Sequence, residues 1–215
     1  MASDTPSGQA TTEPPQLGWL LISVSTAGAP ASLRTQVWRR LRALGALYLQ
    51  QSVCLLPDRP EVARAVRRLL DRVHHDGGQG RLLRVVLPQP AEQAAVIAEF
   101  QAARDAEYAE LLERLPELER ELAHERARGR TTYVEVEESE ADLERFRSWL
   151  AKIATRDYFA TPRGPQAQAA VERCAQALAD FEAAALATEA ADPSLASTSL
   201  HAPSAGPLRL ATPDD

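Results

Sequence analysis

Apolar residues along the first ninety positions change their spacing repeatedly, and each change marks an element. Trp19 to Val24 is an apolar run of strand length. Leu33, Val37, Leu41 and Leu44 then share one stripe at the 3.6-residue period, so a helix is predicted. Ser32 is placed to cap its start, and Gly45 to end it in the left-handed conformation. Ala46 to Gln50 and Ser52 to Leu56 are short, apolar and nearly contiguous, which gives either a tight hairpin or one strand bent near Gln50-Gln51. Pro57 closes that segment. Asp58, Pro60 and Glu61 open a second helix with Val62, Val66, Leu69, Leu70 and Val73 on its core face, and Gly77-Gly78 stops it. Arg81 to Leu87 supplies a fourth strand. The order β-α-β-β-α-β predicts an α+β fold, a ferredoxin-like split βαβ core followed by a helical extension.

Beyond Pro88 the composition turns to Ala, Glu, Leu and Arg. Tyr108, Leu111, Leu115, Leu118 and Leu122 repeat at intervals of three and four, the spacing of a helix seam that requires a partner. Pro116 falls inside this seam and predicts a bend or a split, because proline removes an internal hydrogen bond. Thr131 to Val136 alternates in strand fashion and would add a fifth strand at the sheet edge. Ser139 starts a further helix with Leu143, Phe146, Leu150 and Ile153 buried. The chain then passes through Arg156-Asp157-Tyr158-Phe159-Ala160-Thr161-Pro162-Arg163-Gly164 into an alanine-rich helix near 165–186. The expected division is a disordered N-terminus (1–16), a ferredoxin-like domain (17–90), a mainly helical extension (91–186) with a candidate strand at 131–136, and a disordered tail (187–215).

A chain of 215 residues with 45% hydrophobic content can bury a core, and its length suits one domain with an appendage rather than a large multidomain enzyme. Cys54 and Cys174 form no Cys-x-x-Cys pair, so neither a disulfide framework nor a thiolate zinc site is indicated. The first sixteen residues lack the apolar core of a leader, and no run approaches the roughly 20 apolar residues of a membrane span. A cytoplasmic protein without a membrane partner is expected. The net charge of −6 is unevenly spread. Between Leu17 and Pro90 eleven arginines face four acidic residues, whereas Ala91 to Asp215 holds thirteen basic and twenty-four acidic ones. Such asymmetry fits an anion-binding first half, or two parts that attract each other within one molecule or across a dimer.

Two groups of arginines are candidates for chemistry. Arg34, Trp38 and Arg42 stand at i, i+4 and i+8 on the first helix, and Arg39 extends the basic surface; this pattern can grip nucleic-acid phosphates with an aromatic between the charges. A solvated face with Trp38 packed at the core edge is the equally weighted alternative. Arg64, Arg68 and Arg72 have no aromatic companion and read as a solvated face. In the second group, Arg156 and Arg163 flank a turn, and two planar guanidinium forks suit a tetrahedral oxyanion. Local pairing with Asp157 is the structural alternative. His74 and His75 are adjacent and point about 100° apart on a helix, so they cannot share a metal, and His124 and His201 are distant. No metal and no cofactor is expected. Leu21-Ile22-Ser23-Val24-Ser25 carries no acid for a nuclease metal, and neither a phosphate-binding glycine loop nor a Gly-x-Ser-x-Gly elbow occurs, so an enzyme is not expected.

The segment Trp38-Arg39-Arg40-Leu41, with Leu44-Gly45-Ala46 and Tyr48-Leu49-Gln50-Gln51-Ser52-Val53-Cys54-Leu55-Leu56-Pro57, resembles the N-terminal domain of ChrB, the chromate-resistance regulator. It is more loosely similar to the middle domain of PaaX-type repressors. The likeness covers about residues 17 to 163 and returns in Arg156-Asp157-Tyr158-Phe159. It implies a bacterial chromate-responsive transcription regulator, a homodimer that binds promoter DNA and releases it when chromate or a related oxyanion binds arginines such as Arg156 and Arg163. Fuller members of the family continue into a second, C-terminal domain. The rival expectation is an interaction module that dimerises through the 101–122 seam and the acidic helices and does not itself bind DNA.

Overall fold

In this computed structural model residues 17–128 and 133–191 are described. They fall into two units, one closing at Val96 and the next opening at Ile97. The first contains β1 (Gly18–Ser25), α1 (Ala31–Ala43), β2 (Leu47–Gln50), β3 (Val53–Pro57), α2 (Pro60–His75) and β4 (Gln79–Val86). The strands lie in the order β2-β3-β1-β4, with every neighbouring pair antiparallel. Alternation on β1 buries Leu20, Ile22 and Val24. Leu20 stands opposite Leu56, and Ile22 opposite Cys54 and Leu82, so these residues share one face. Leu33, Val37 and Leu41 of α1 and Val62, Val66, Leu70 and Val73 of α2 are buried as well. Gly80 lies so close to α2 that a Cβ there would come within 2.4 Å of Leu70 Cδ2.

Both helices end as the glycines predict. Gly45 takes φ +71°, its N–H donates to Arg42 O at 2.8 Å, and Ala46 N–H donates to Leu41 O at 3.0 Å, the paired closure of a Schellman motif. Gly77 (φ +84°) repeats it, with Gly78 N–H donating to Val73 O at 2.8 Å. The start of α1 differs from expectation. Its cap is Pro30 rather than Ser32, which lies inside the helix; the ring holds φ at −55°, and Pro30 O accepts from Leu33 N–H. The hairpin is the realised alternative at 46–56, with Tyr48 opposite Cys54, Gln50 opposite Val53 and a bulge between Tyr48 and Gln50. β4 begins two residues earlier than its apolar run.

The second unit is helical, built from α3 (Pro90–Arg128, its first residues in the first unit), α4 (Tyr133–Ala154) and α5 (Arg163–Ala191). The described residues therefore make an α+β protein of one four-stranded antiparallel sheet and five helices, helical for the most part. The seam at Tyr108, Leu111, Leu115, Leu118 and Leu122 finds its partners in the same chain. It is buried in one cluster with Leu143, Phe146 and Ile153 of α4 and Val171, Cys174, Leu178 and Phe181 of α5. α3 runs through Pro116 without a break, because Leu115 and Leu118 on either side are buried and their packing outweighs the one bond lost. The strand expected at 131–136 is replaced by helix over 133–136. Residues 131 and 132 lie outside the described ones, and 133–136 are the first turn of α4, where Val136 extends the stripe of Leu143, Phe146 and Ile153 at helical spacing. α5 continues to Ala191, five residues past its expected end; the segments 1–16 and 192–215 lie outside the described residues. Among the described residues, no helix is long and apolar enough to cross a membrane.

Candidate functional site

The arginines of α1 project from an exposed helix face. Arg34, Trp38, Arg39 and Arg42 are all exposed, opposite the buried stripe of Leu33, Val37 and Leu41. Trp38 keeps 40% of its surface open, and the Arg42 guanidinium lies 5.0 Å from its ring centroid, a cation–π contact that stiffens both side chains without consuming the charge. Among the described residues no carboxylate pairs with Arg34, Arg39 or Arg42. A cleft of about 690 Å³ opens beside this face, lined by Arg34 and Trp38, by Tyr48, Ser52 and Cys54 of the hairpin, and by the end of β1. On α2, Arg72 is bound to Asp76 at 2.8 Å one turn along.

In the second unit most of the described arginines are already engaged. Arg156 donates from Nε and Nη2 to Glu107 Oε2 at 3.2 and 3.1 Å, and Arg163 pairs with Asp105. The two sequence-predicted anion ligands thus rest on two different carboxylates of α3, and neither pairs with Asp157. That aspartate instead organises the turn. Its carboxylate accepts from Thr161 N–H (3.1 Å), Thr161 Oγ1–H (2.6 Å) and Tyr108 Oη–H (3.3 Å). These bonds hold Ala160 at φ +52°, a left-handed conformation uncommon for a residue with a Cβ. Gln101 Nε2–H donates to Phe159 O at 2.9 Å, and Phe100 meets the rings of Tyr158 and Phe159 edge-on. Burial first, and then the Asp157 charge, push the Tyr108 hydroxyl up to about 12, so it stays a donor.

Arg104 was not a sequence candidate, yet among the described residues it is the most deeply buried charge. Only 7% of it is exposed. Its Nη2 donates to Glu107 Oε1 at 2.9 Å, while Nε and Nη1 are buried without a partner. Burial pulls its guanidinium below the ordinary value, Glu107 partly restores it, and Arg156 lowers it further. A signal for Arg104 existed: it continues the 108, 111, 115, 118, 122 seam one step N-terminally, and an arginine in an otherwise apolar register must be buried or break it.

Both cysteines are buried free thiols. Cys174 lies 3.6 Å from Glu119 Oε1, and burial pushes both thiols up to about 12. Folding therefore holds both protons. This contribution to stability is fully present below the ordinary thiol value near 9 and is lost as pH rises toward about 12. In native protein at pH 8 a thiol reagent should find no fast-reacting group, and in denaturant both; rapid labelling of the native protein would contradict the burial of these thiols.

Three comparisons bear on these surfaces. The family described as Protein ChrB, N-terminal, matches residues 34–191, most of the chain and both surfaces. A curated relative, Protein ChrB of Cupriavidus metallidurans, is 31% identical over 96 residues, which is 45% of this chain and 29% of that protein. The match thus spans under a third of the relative's length. No solved structure matches.

Proposed function

Because the chain belongs to the ChrB N-terminal family, we propose that it serves in bacterial chromate resistance as a non-enzymatic, cytoplasmic, chromate-responsive transcription regulator. The first unit grips promoter DNA through Arg34, Arg39 and Arg42, with Trp38 packed between them. The observation that carries this reading is the contrast between α1 and the ion pairs of the helical unit. Arg104, Arg114, Arg128, Arg145, Arg156 and Arg163 all hold carboxylates, whereas the α1 arginines hold none among the described residues. An exposed guanidinium without a carboxylate meets a phosphate directly and gains from the counterions released, whereas a paired one must first break its bond. The helix-linked strand order β2-β3-β1-β4 supports reading this unit as ferredoxin-like. Chromate or a related oxyanion acts at the 156–163 turn, where Arg156 and Arg163 exchange Glu107 and Asp105 for it. A homodimer would use surface other than the 108–122 seam, which is buried within the chain.

The test is fluorescence anisotropy of the protein with labelled DNA from upstream of its own gene, at two salt concentrations, with chromate and with sulfate as control. Binding that weakens with salt and is released by chromate is expected. No binding under any condition would sink the DNA-binding reading and leave the interaction module.

A further inference from the structure

Three side chains in the second unit form a single electrostatic unit. Glu107 gives one carboxylate oxygen to Arg104 and the other to Arg156, so one monoanion bridges two guanidinium groups. The pairing is incomplete, since Arg104 retains two buried N–H donors without an acceptor. Desolvated donors without an acceptor are costly, and native folds keep them seldom. We infer that Arg104 and Arg156 together form a binding site for a tetrahedral oxyanion dianion, and that Glu107 is its built-in competitor, displaced when the anion binds. The inference deepens the proposed effector response and rests on it, adding Arg104 to the guanidinium groups that act with Arg156.

Charge and geometry both favour displacement over addition. With Glu107 in place the two arginines face Glu107 and Asp157, and a further dianion would enter a cluster that is already neutral. With Glu107 swung out, the excess negative charge that a dianion brings is halved relative to simple addition. A carboxylate has two oxygens, both in use; a tetrahedral oxyanion has four, enough to serve Arg156 and a two-donor edge of Arg104 that includes one of its unpaired N–H groups. Glu107 sits on α3 three residues from Arg104, so it competes as a tethered group at high local concentration. A halide or a monocarboxylate cannot outbid it, because neither offers more charge or more acceptors. Selectivity for divalent oxyanions then follows from the competitor as much as from the arginines. Asp157 is held in place by Thr161 and Tyr108, so the floor of the site keeps its shape during the exchange.

The experiment is isothermal titration calorimetry of the full chain with sodium chromate and sodium sulfate, for wild type, Glu107→Gln, Arg104→Lys and Arg147→Gln. Arg147 is exposed on α4, and its replacement shows how little a one-charge change away from the site matters. Glu107→Gln should bind both anions at least about tenfold more tightly, since a full negative charge leaves the site. Arg104→Lys should weaken them by a similar factor through loss of the planar fork, and Arg147→Gln should stay within about twofold of wild type. Equal or weaker binding by Glu107→Gln overturns the inference even if Arg104→Lys folds poorly. Wild-type binding that neither variant moves overturns the inference alone; no binding to wild type or to Glu107→Gln overturns the effector reading with it.

Discussion

An Arg39→Ala/Arg42→Ala double variant should bind promoter DNA one to two orders of magnitude more weakly, and its log affinity should fall less steeply with log salt by roughly two units. The slope counts the counterions that phosphate contacts release, about 0.9 per contact on duplex DNA, so two lost contacts predict a change of about 1.8. The two arginines are exposed on α1 and lie outside the buried stripe, so the variant should unfold within about 0.5 kcal/mol of wild type. That separation makes the measurement decisive. An affinity loss with an unchanged slope would mean that these residues support α1 rather than touch phosphate. Trp38→Ala should act differently, losing affinity while keeping the slope, because it removes a surface and no charge.

Phe181→Ala should destabilise the helical unit by about 3–5 kcal/mol, a large share of the stability of a domain this size. The ring is 1% exposed in the cluster where α5 meets the seam of α3 and the stripe of α4. Truncation leaves a cavity that aliphatic neighbours on three long helices cannot easily close. Leu186→Ala on the same helix is the control: that side chain is 65% exposed and its loss should stay within about 0.5 kcal/mol. Chemical denaturation followed by helical circular dichroism distinguishes the two, and equal midpoints would refute the packing described for α5.

Local chemistry made the first unit legible. Stripes at 3.6 residues placed both helices, and glycines at 45 and 77 marked their ends because a left-handed closure is cheap only there. The errors lay where two local signals competed. Thr131 to Val136 alternates like a strand, but Val136 also falls in the helical register of Leu143, Phe146 and Ile153, and burial on the α3 seam decided the outcome. Pro116 signals a break by local chemistry, which the leucines around it outweigh. The α1 arginines could be placed on an exposed face because their own helix fixes that face. The state of Arg156 and Arg163 could not be read this way. Their partners Glu107 and Asp105 come from α3, 49 and 58 residues earlier, and no spacing rule reaches across such a loop. Arg104 was within reach, since a charge in a hydrophobic register is a local anomaly.

The rims of the sheet carry a consequence for how the protein behaves in crowded solution. Its outermost strands are β2 and β4. β2 is four residues long and kinked by its bulge, and β4 carries Arg81 and Arg84 along an exposed border. Short length, a bulge and like charges are the devices that stop a strand from templating another chain. Edge-to-edge aggregation is thereby discouraged, and a companion molecule would be met by side chains rather than by adding a strand.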